Sequence, residues 1–213
     1  MTGLLVYTAV VVPSTVVIPL AMGIYRYPRL LLPHKIIFYY LVFGGVMDVV
    51  AGYTSAHRIN NLWLLHLYTA AETVILLSFY MTIIRDRGIR RVIPYLMVVF
   101  PLVCAANIAW WQSMKRFNTY TRPVEALLMM FAGLVYFLEN SQMALDPKKG
   151  PRTSLTWINT GLLLYFSLSF FIFIFANYLH QKQLFNTFIQ TLHATFVVIM
   201  YLLVAVGFYK CSR

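Results

Sequence analysis

Charge is scarce in this chain, and acidic charge scarcest. Charged residues fill only 11% of 213 positions, hydrophobic ones fill 61%, and only six residues are acidic. Soluble domains are about a quarter charged, so with a mean hydropathy of +0.73 the chain reads as a membrane protein. Cysteine is nearly absent. Cys104 and Cys211 cannot form a thiol-metal cluster, and they fall near opposite faces of the expected bundle, which argues against a disulfide. Cys211 lies where acylation occurs in some membrane proteins, but the free thiol is expected. No basic residue precedes the first apolar run, MTGLLVYTAVVVPSTVVIPLAMG, which therefore reads as a retained helix and not as a cleaved signal. Long polar connectors are also lacking. The longest, SQMALDPKKGPRTS (141–154), leaves no room for a soluble domain.

What is present is a series of apolar runs. A bilayer-spanning helix needs roughly 20 mostly apolar residues, and seven segments qualify, at about 3–25, 36–54, 62–84, 92–112, 121–140, 155–178 and 185–209. The expectation is an all-α, polytopic membrane protein: one transmembrane domain over 1–213, built as a seven-helix bundle. Any catalysis would occur inside the bundle, and any signal would pass to a separate protein.

The net charge of +11 is a topology signal. With the N-terminus outside, Arg26, Arg29, Lys35, Arg85, Arg87, Arg90, Arg91, Lys148, Lys149, Arg152, Lys210 and Arg213 face the cytoplasm. Arg58, Lys115, Arg116, Arg122 and Lys182 face out. Basic residues concentrate in short cytoplasmic loops, so the N-terminus is expected outside and the C-terminus inside. The basic loops suit anionic lipid heads, so membrane lipids and not nucleic acid are the expected partners. No inverted repeat of the transporter kind is found. Pro13, Pro19, Pro94 and Pro101 predict kinks. Tyr25, Tyr27, Tyr53, Trp63, Trp110, Trp111, Trp157 and Tyr209 read as interfacial belts.

Within the apolar runs, the polar residues are few enough to weigh singly. Asp86, Glu139 and Asp146 fall at the inner boundary. Glu125, two residues after Pro123 and three after Arg122, reads as a helix cap. Glu72 lies mid-span in LWLLHLYTAAETVILLSFYMTII, with Tyr68 and Thr69 on its side of the helix and His66 turned about 120° away. An unpartnered ionised group at that depth costs at least about 2.5–3.5 kcal/mol, so Glu72 is expected neutral or paired. Asn186, Gln190 and His193 share one face of helix 7. Asp48, His66, Glu72, Asn107, Asn177, Gln190 and His193 all fall between the outer surface and the midplane, whereas the inner halves read as nearly pure Leu, Val, Ile and Phe. Interhelical hydrogen bonds, worth about 0.6 kcal/mol each in membranes, would explain scattered cases. The convergence points instead to an outward-opening polar pocket, with Glu72 and His193 as first ligand contacts and Asp48, His66, Tyr68, Gln190 and Asn107 around them.

No helix carries an HxxxH or HxxE pair, so neither a metal nor another cofactor is expected. Helix 7 has no lysine before Lys210, which excludes a rhodopsin-type Schiff base. RDRGIRR is a basic loop, and helix 7 lacks the NPxxY of G-protein-coupled receptors. FGGVMD (43–48) followed by LLHLYT (64–69) is similar to segments of lysoplasmalogenase-like membrane hydrolases. That resemblance implies lipid hydrolysis, with Asp48 or Glu72 as general base and His66 as partner. The family's eight helices and later acidic motif are not found here. NNLWLLHLYTAAE with LHATF…VGFYK resembles small bacterial seven-helix membrane proteins of no assigned activity, which implies the fold and a bacterial inner (plasma) membrane. The leading expectation is a sensor- or receptor-like module that binds a small or lipidic molecule and contacts a cytoplasmic or membrane signalling partner. An intramembrane lipid hydrolase is the second reading, and a small-molecule transporter the third.

Overall fold

In hydrocarbon the backbone has only itself to bond, which restricts an unpaired segment to a helix. The computed structural model is 87% helical, with no strand among its described residues. These are residues 3, 6–144, 153–179 and 183–211; the side chains of 9, 142–144, 175–179, 183–187 and 190 fall outside the description. The first apolar segment is broken into a π-helical turn (Tyr7–Val11), one α-turn (Val12–Ser14) and helix α1 (Val17–Arg26). Pro13 and Pro19 each remove an amide donor, and the Thr15 and Ser14 hydroxyls bond back to the carbonyls of Val12 and Val10. Then follow α2 (Leu32–Ala56), α3 (Leu62–Ile83), α4 (Arg87–Ala106, running into a π-helical turn Asn107–Trp111), α5 (Thr121–Ala144), α6 (Thr153–Leu179) and α7 (Gln183–Tyr209). Six of these, α2 to α7, are long and apolar enough to cross a membrane.

Helices α1, α2, α3, α5, α6 and α7 form a ring in which α7 closes on α1, and α4 lies outside it against α3. Short connectors make successive helices antiparallel. One end of the bundle therefore carries the 57–61 and 112–120 connectors (the Asn61 end), and the other carries 27–31 and 84–86 (the Asp86 end). On α3 the stripe Thr69, Glu72, Thr73, Leu76, Leu77, Tyr80 and Ile83 is fully buried. That i, i+3, i+4, i+7 spacing keeps one face turned to the ring's interior.

The Asp86 end is bolted by side-chain caps. Glu139 accepts from the amides of Arg85 and Asp86 at 2.8 and 2.9 Å, and Asp86 caps α4 through the Ile89 amide at 2.8 Å. This half is less purely apolar than the sequence reading held. Tyr80 donates to Asn159 at 3.0 Å, and Asn159 donates to the Gly133 carbonyl at 3.1 Å. These groups satisfy one another. Cys211 is buried, its thiol 3.3 Å from the Arg29 carbonyl, and both cysteines are free.

Helices α6 and α7 meet closely because small residues line the seam. A Cβ on Gly207 would lie 2.4 Å from Ile158 Cγ1 and 3.0 Å from the Ser154 carbonyl. Ser154 donates to the Gly207 carbonyl at 2.7 Å, and His34 Nε2 sits 2.6 Å from the same hydroxyl, which ties α2 to the seam. Gly207→Ala is therefore expected to destabilise the protein by roughly 1–3 kcal/mol, the usual cost of overpacking. Thermal unfolding in detergent measures this, and an unchanged midpoint would contradict the close contact.

Candidate functional site

At the centre of the ring sits a buried ion cluster. Glu72, the eleventh residue of α3, and Glu125 in the second turn of α5 both have no solvent exposure. Arg122 lies between them. Its Nη1 donates to Glu72 Oε2 and, at 2.6 Å, to Glu125 Oε2, while Nη2 donates to Tyr165 Oη at 3.0 Å. Tyr40 and Tyr68 donate to the other Glu72 oxygen at 2.7 and 3.2 Å. The Thr73 hydroxyl lies 2.9 Å from Glu125 Oε1 and 2.8 Å from the Thr69 carbonyl, sharing one proton between them. The Arg122 guanidinium is also centred 5.4 Å from the Tyr68 ring and 5.2 Å from the Phe173 ring, a cation–π arrangement on both sides. A buried charge is tolerable only when paired and hydrogen-bonded, and here every charged group is.

Two sequence readings are corrected. Glu125 is not a simple helix cap; it is a partner of Arg122 and Thr73. Arg122 is not an outer-surface charge; it is 3% exposed. The cause is the 112–120 connector, which dips into the bundle. Asn118, 0% exposed, donates to Thr69 Oγ1 at 3.2 Å and accepts from the amide and hydroxyl of Thr121. Thr69 lies seven residues into α3, roughly 10 Å along its axis, so α5 starts deep. Gln112 braces the connector at the Phe117 carbonyl (2.7 Å) and the Thr119 hydroxyl (2.9 Å). Irregular backbone at such depth needs this kind of cover.

Above the cluster, toward the Asn61 end, is a cavity of about 480 Å³ lined by the first segment, α2, α3, α6, α7 and Phe117. Its wall includes Tyr40, Asp48, Tyr68, Arg122, Tyr165 and His193. The expected site residues divide between wall, support and connector. Asp48, Tyr68 and His193 line the cavity. Glu72 lies behind the wall and holds Tyr40, Tyr68 and Arg122 in place. His66 and Asn107 are buried but belong to the connector: His66 Nε2 sits 3.1 Å from the Arg116 carbonyl, and Asn107 donates to Gln112 at 3.3 Å. The Gln190 side chain, like those of Asn177 and Asn186, lies outside the described residues. His193 Nε2 is 3.2 Å from the Ser169 hydroxyl, and its ring is 5.4 Å from that of Tyr165.

The sequence reading missed Arg122, Tyr40 and Tyr165. A signal for Arg122 existed: a mid-span carboxylate needs a cation, and Arg122 stands inside the apolar segment 121–140, three residues from a second acid, Glu125. The tyrosines carried no such signal, because nothing in an apolar run says which phenol turns inward. Among the described residues no group of three His, Cys, Asp or Glu side chains is placed to hold a metal ion.

No protein-family model, curated protein or solved structure matches this chain.

Removing Arg122 leaves two buried carboxylates without their cation. Arg122→Ala is expected to cost about 3–5 kcal/mol, as for other broken buried pairs. Arg122→Lys should recover only part of this, since an ammonium lacks the planar fork that reaches both carboxylates and Tyr165 together. Chemical unfolding in detergent or nanodiscs reads both values; equal stability of Arg122→Ala and wild type would contradict the cluster.

Proposed function

We propose that this chain is a ligand-binding seven-helix membrane protein of the sensor or receptor kind, with its site in the cavity at the Asn61 end. The cavity's volume of about 480 Å³ carries this reading. Sites for small molecules are typically concavities of roughly 300–1,000 Å³ with mostly apolar walls and a few fixed polar groups. Here Val12, Met47, Leu65, Val197 and Met200 supply apolar wall, and the ion cluster fixes Tyr40, Tyr68 and Arg122 behind or beside it. Glu72 acts as a positioning residue, its own oxygens fully engaged. In this reading the first segment is the seventh membrane helix, the N-terminus lies outside a bacterial inner membrane, and the basic loops of the Asp86 end meet a signalling partner.

A second reading has one observation in its favour. Asp48 has no hydrogen-bond or ion-pair partner among the described residues and lines the cavity, so it is free to act as the general base of an intramembrane lipid hydrolase. Turnover of a vinyl-ether lysolipid by the purified protein, lost in Asp48→Asn, would favour hydrolysis over binding.

Two experiments test the leading reading. A stability screen against lipids and small metabolites should find a compound that stabilises the wild type, by about 2.7 kcal/mol at a concentration 100 times its dissociation constant. The same compound should fail on Gly44→Phe, because a Cβ there meets only Tyr68 Oη at 3.7 Å and a larger side chain fills the cavity. For topology, a Ser113→Cys variant with both native cysteines replaced by serine should react in intact cells with a membrane-impermeant thiol reagent. Labelling only after lysis would reverse the orientation.

A further inference from the structure

The polar groups around the cavity are not equally free, and the imbalance has a sign. The Tyr40 and Tyr68 hydroxyl protons are committed to Glu72, and the Tyr165 oxygen receives Arg122. Arg122 is committed to two carboxylates. Asp48 alone offers an unshared anion. It stands four residues from Gly44 and eight from Tyr40, on the face of α2 turned to the cavity; Val42, Val46, Val49 and Tyr53 occupy the opposite, exposed face. Although accessible, Asp48 lies inside the span Leu32–Ala56, where a carboxylate without a counter-charge is costly.

The charge count points the same way. Arg122 is paired with Glu72 and Glu125, and Asp48 and His193 line the same cavity. With Asp48 and at least one of the two glutamates ionised, the arginine is outnumbered and the cavity is net negative. An anionic ligand would meet an arginine already occupied and a carboxylate that repels it.

We propose that the cavity binds a monovalent organic ammonium, its cationic head held at Asp48 beside the ring of Tyr201. Tyr201 on the same wall adds an aromatic ring, and cations are attracted to aromatic faces; the Tyr68 ring is already covered by Phe43 and Arg122. The apolar wall formed by Val12, Met47 and Val197 takes the hydrocarbon part. The inference rests on the cavity being a ligand site and adds the charge class of what enters it.

The test uses three ring compounds of similar size: benzyltrimethylammonium, benzyl alcohol and benzoate. Each is titrated by calorimetry into wild type, Asp48→Asn and Gly44→Phe in nanodiscs. Asp48 is unpartnered, so the asparagine variant should fold normally, and its melting temperature verifies this. The expected result is saturable binding of benzyltrimethylammonium to wild type, weaker by about tenfold or more in Asp48→Asn, as for loss of a charge-assisted contact, and absent in Gly44→Phe. Benzyl alcohol should bind more weakly and benzoate least. Cation binding kept in Asp48→Asn but lost in Gly44→Phe would overturn the ammonium assignment and leave the cavity as the site. Binding kept in both variants would overturn both. No binding of the cation to wild type, or tighter binding of benzoate, would overturn the ammonium assignment.

Discussion

Arg122 reaches from the start of α5 to a carboxylate in the middle of α3 and to another on its own first turns, and the surrounding architecture follows from that reach. An arginine can sit there only if its connector comes down to meet it, and this one does, tied by Asn118 to Thr69 and by His66 to the Arg116 carbonyl. Once seated, the guanidinium holds Tyr165 on α6, and Glu72 holds Tyr40 on α2. Four helices are thus joined through one cation and its two anions. In a membrane, where lipid tails are as apolar as leucine, such polar links and close packing take over much of the role that the hydrophobic effect has in water.

The two halves of the bundle solve different problems. At the Asp86 end polar groups are short-range fasteners: Glu139 over two amides, Ser154 at Gly207, Asn159 at Gly133. Each is satisfied, and the cavity of about 370 Å³ at this end is lined, apart from Asp86 and Gly88, by apolar side chains of α3, α4 and α5 and by Ile84. Toward the Asn61 end the cluster supports an open volume instead, and the helix that borders it, the first, is the one broken by proline. The cavity is bordered by this interrupted helix and lies against the ion cluster.

The fold was largely legible in the sequence, because hydrocarbon imposes one backbone solution and apolar run length reports it directly. Six of the expected segments recur as long apolar helices, within a few residues at most ends; the first is a broken helix, interrupted between Pro13 and Pro19. The site was legible in part. Glu72 stood out because a mid-span carboxylate demands explanation, and Asp48, Tyr68 and His193 do reach the cavity. His66 and Asn107 share its depth but serve the connector. Depth along a helix is readable from residue number, whereas direction toward a neighbour depends on packing. Arg122 was hidden for another reason: at the second position of its segment it read as a boundary charge, whereas in the fold the polar connector before it descends into the bundle.

The central claim is that Arg122 is required because it compensates Glu72 and Glu125. Its most direct test compares the unfolding free energies of Arg122→Met, Glu72→Gln with Glu125→Gln, and the triple variant. If charge compensation dominates, the triple variant regains most of the stability lost in Arg122→Met, a large favourable coupling between neighbouring sites. If the losses simply add, the arginine and the glutamates act independently, and the cluster is not what holds the bundle together.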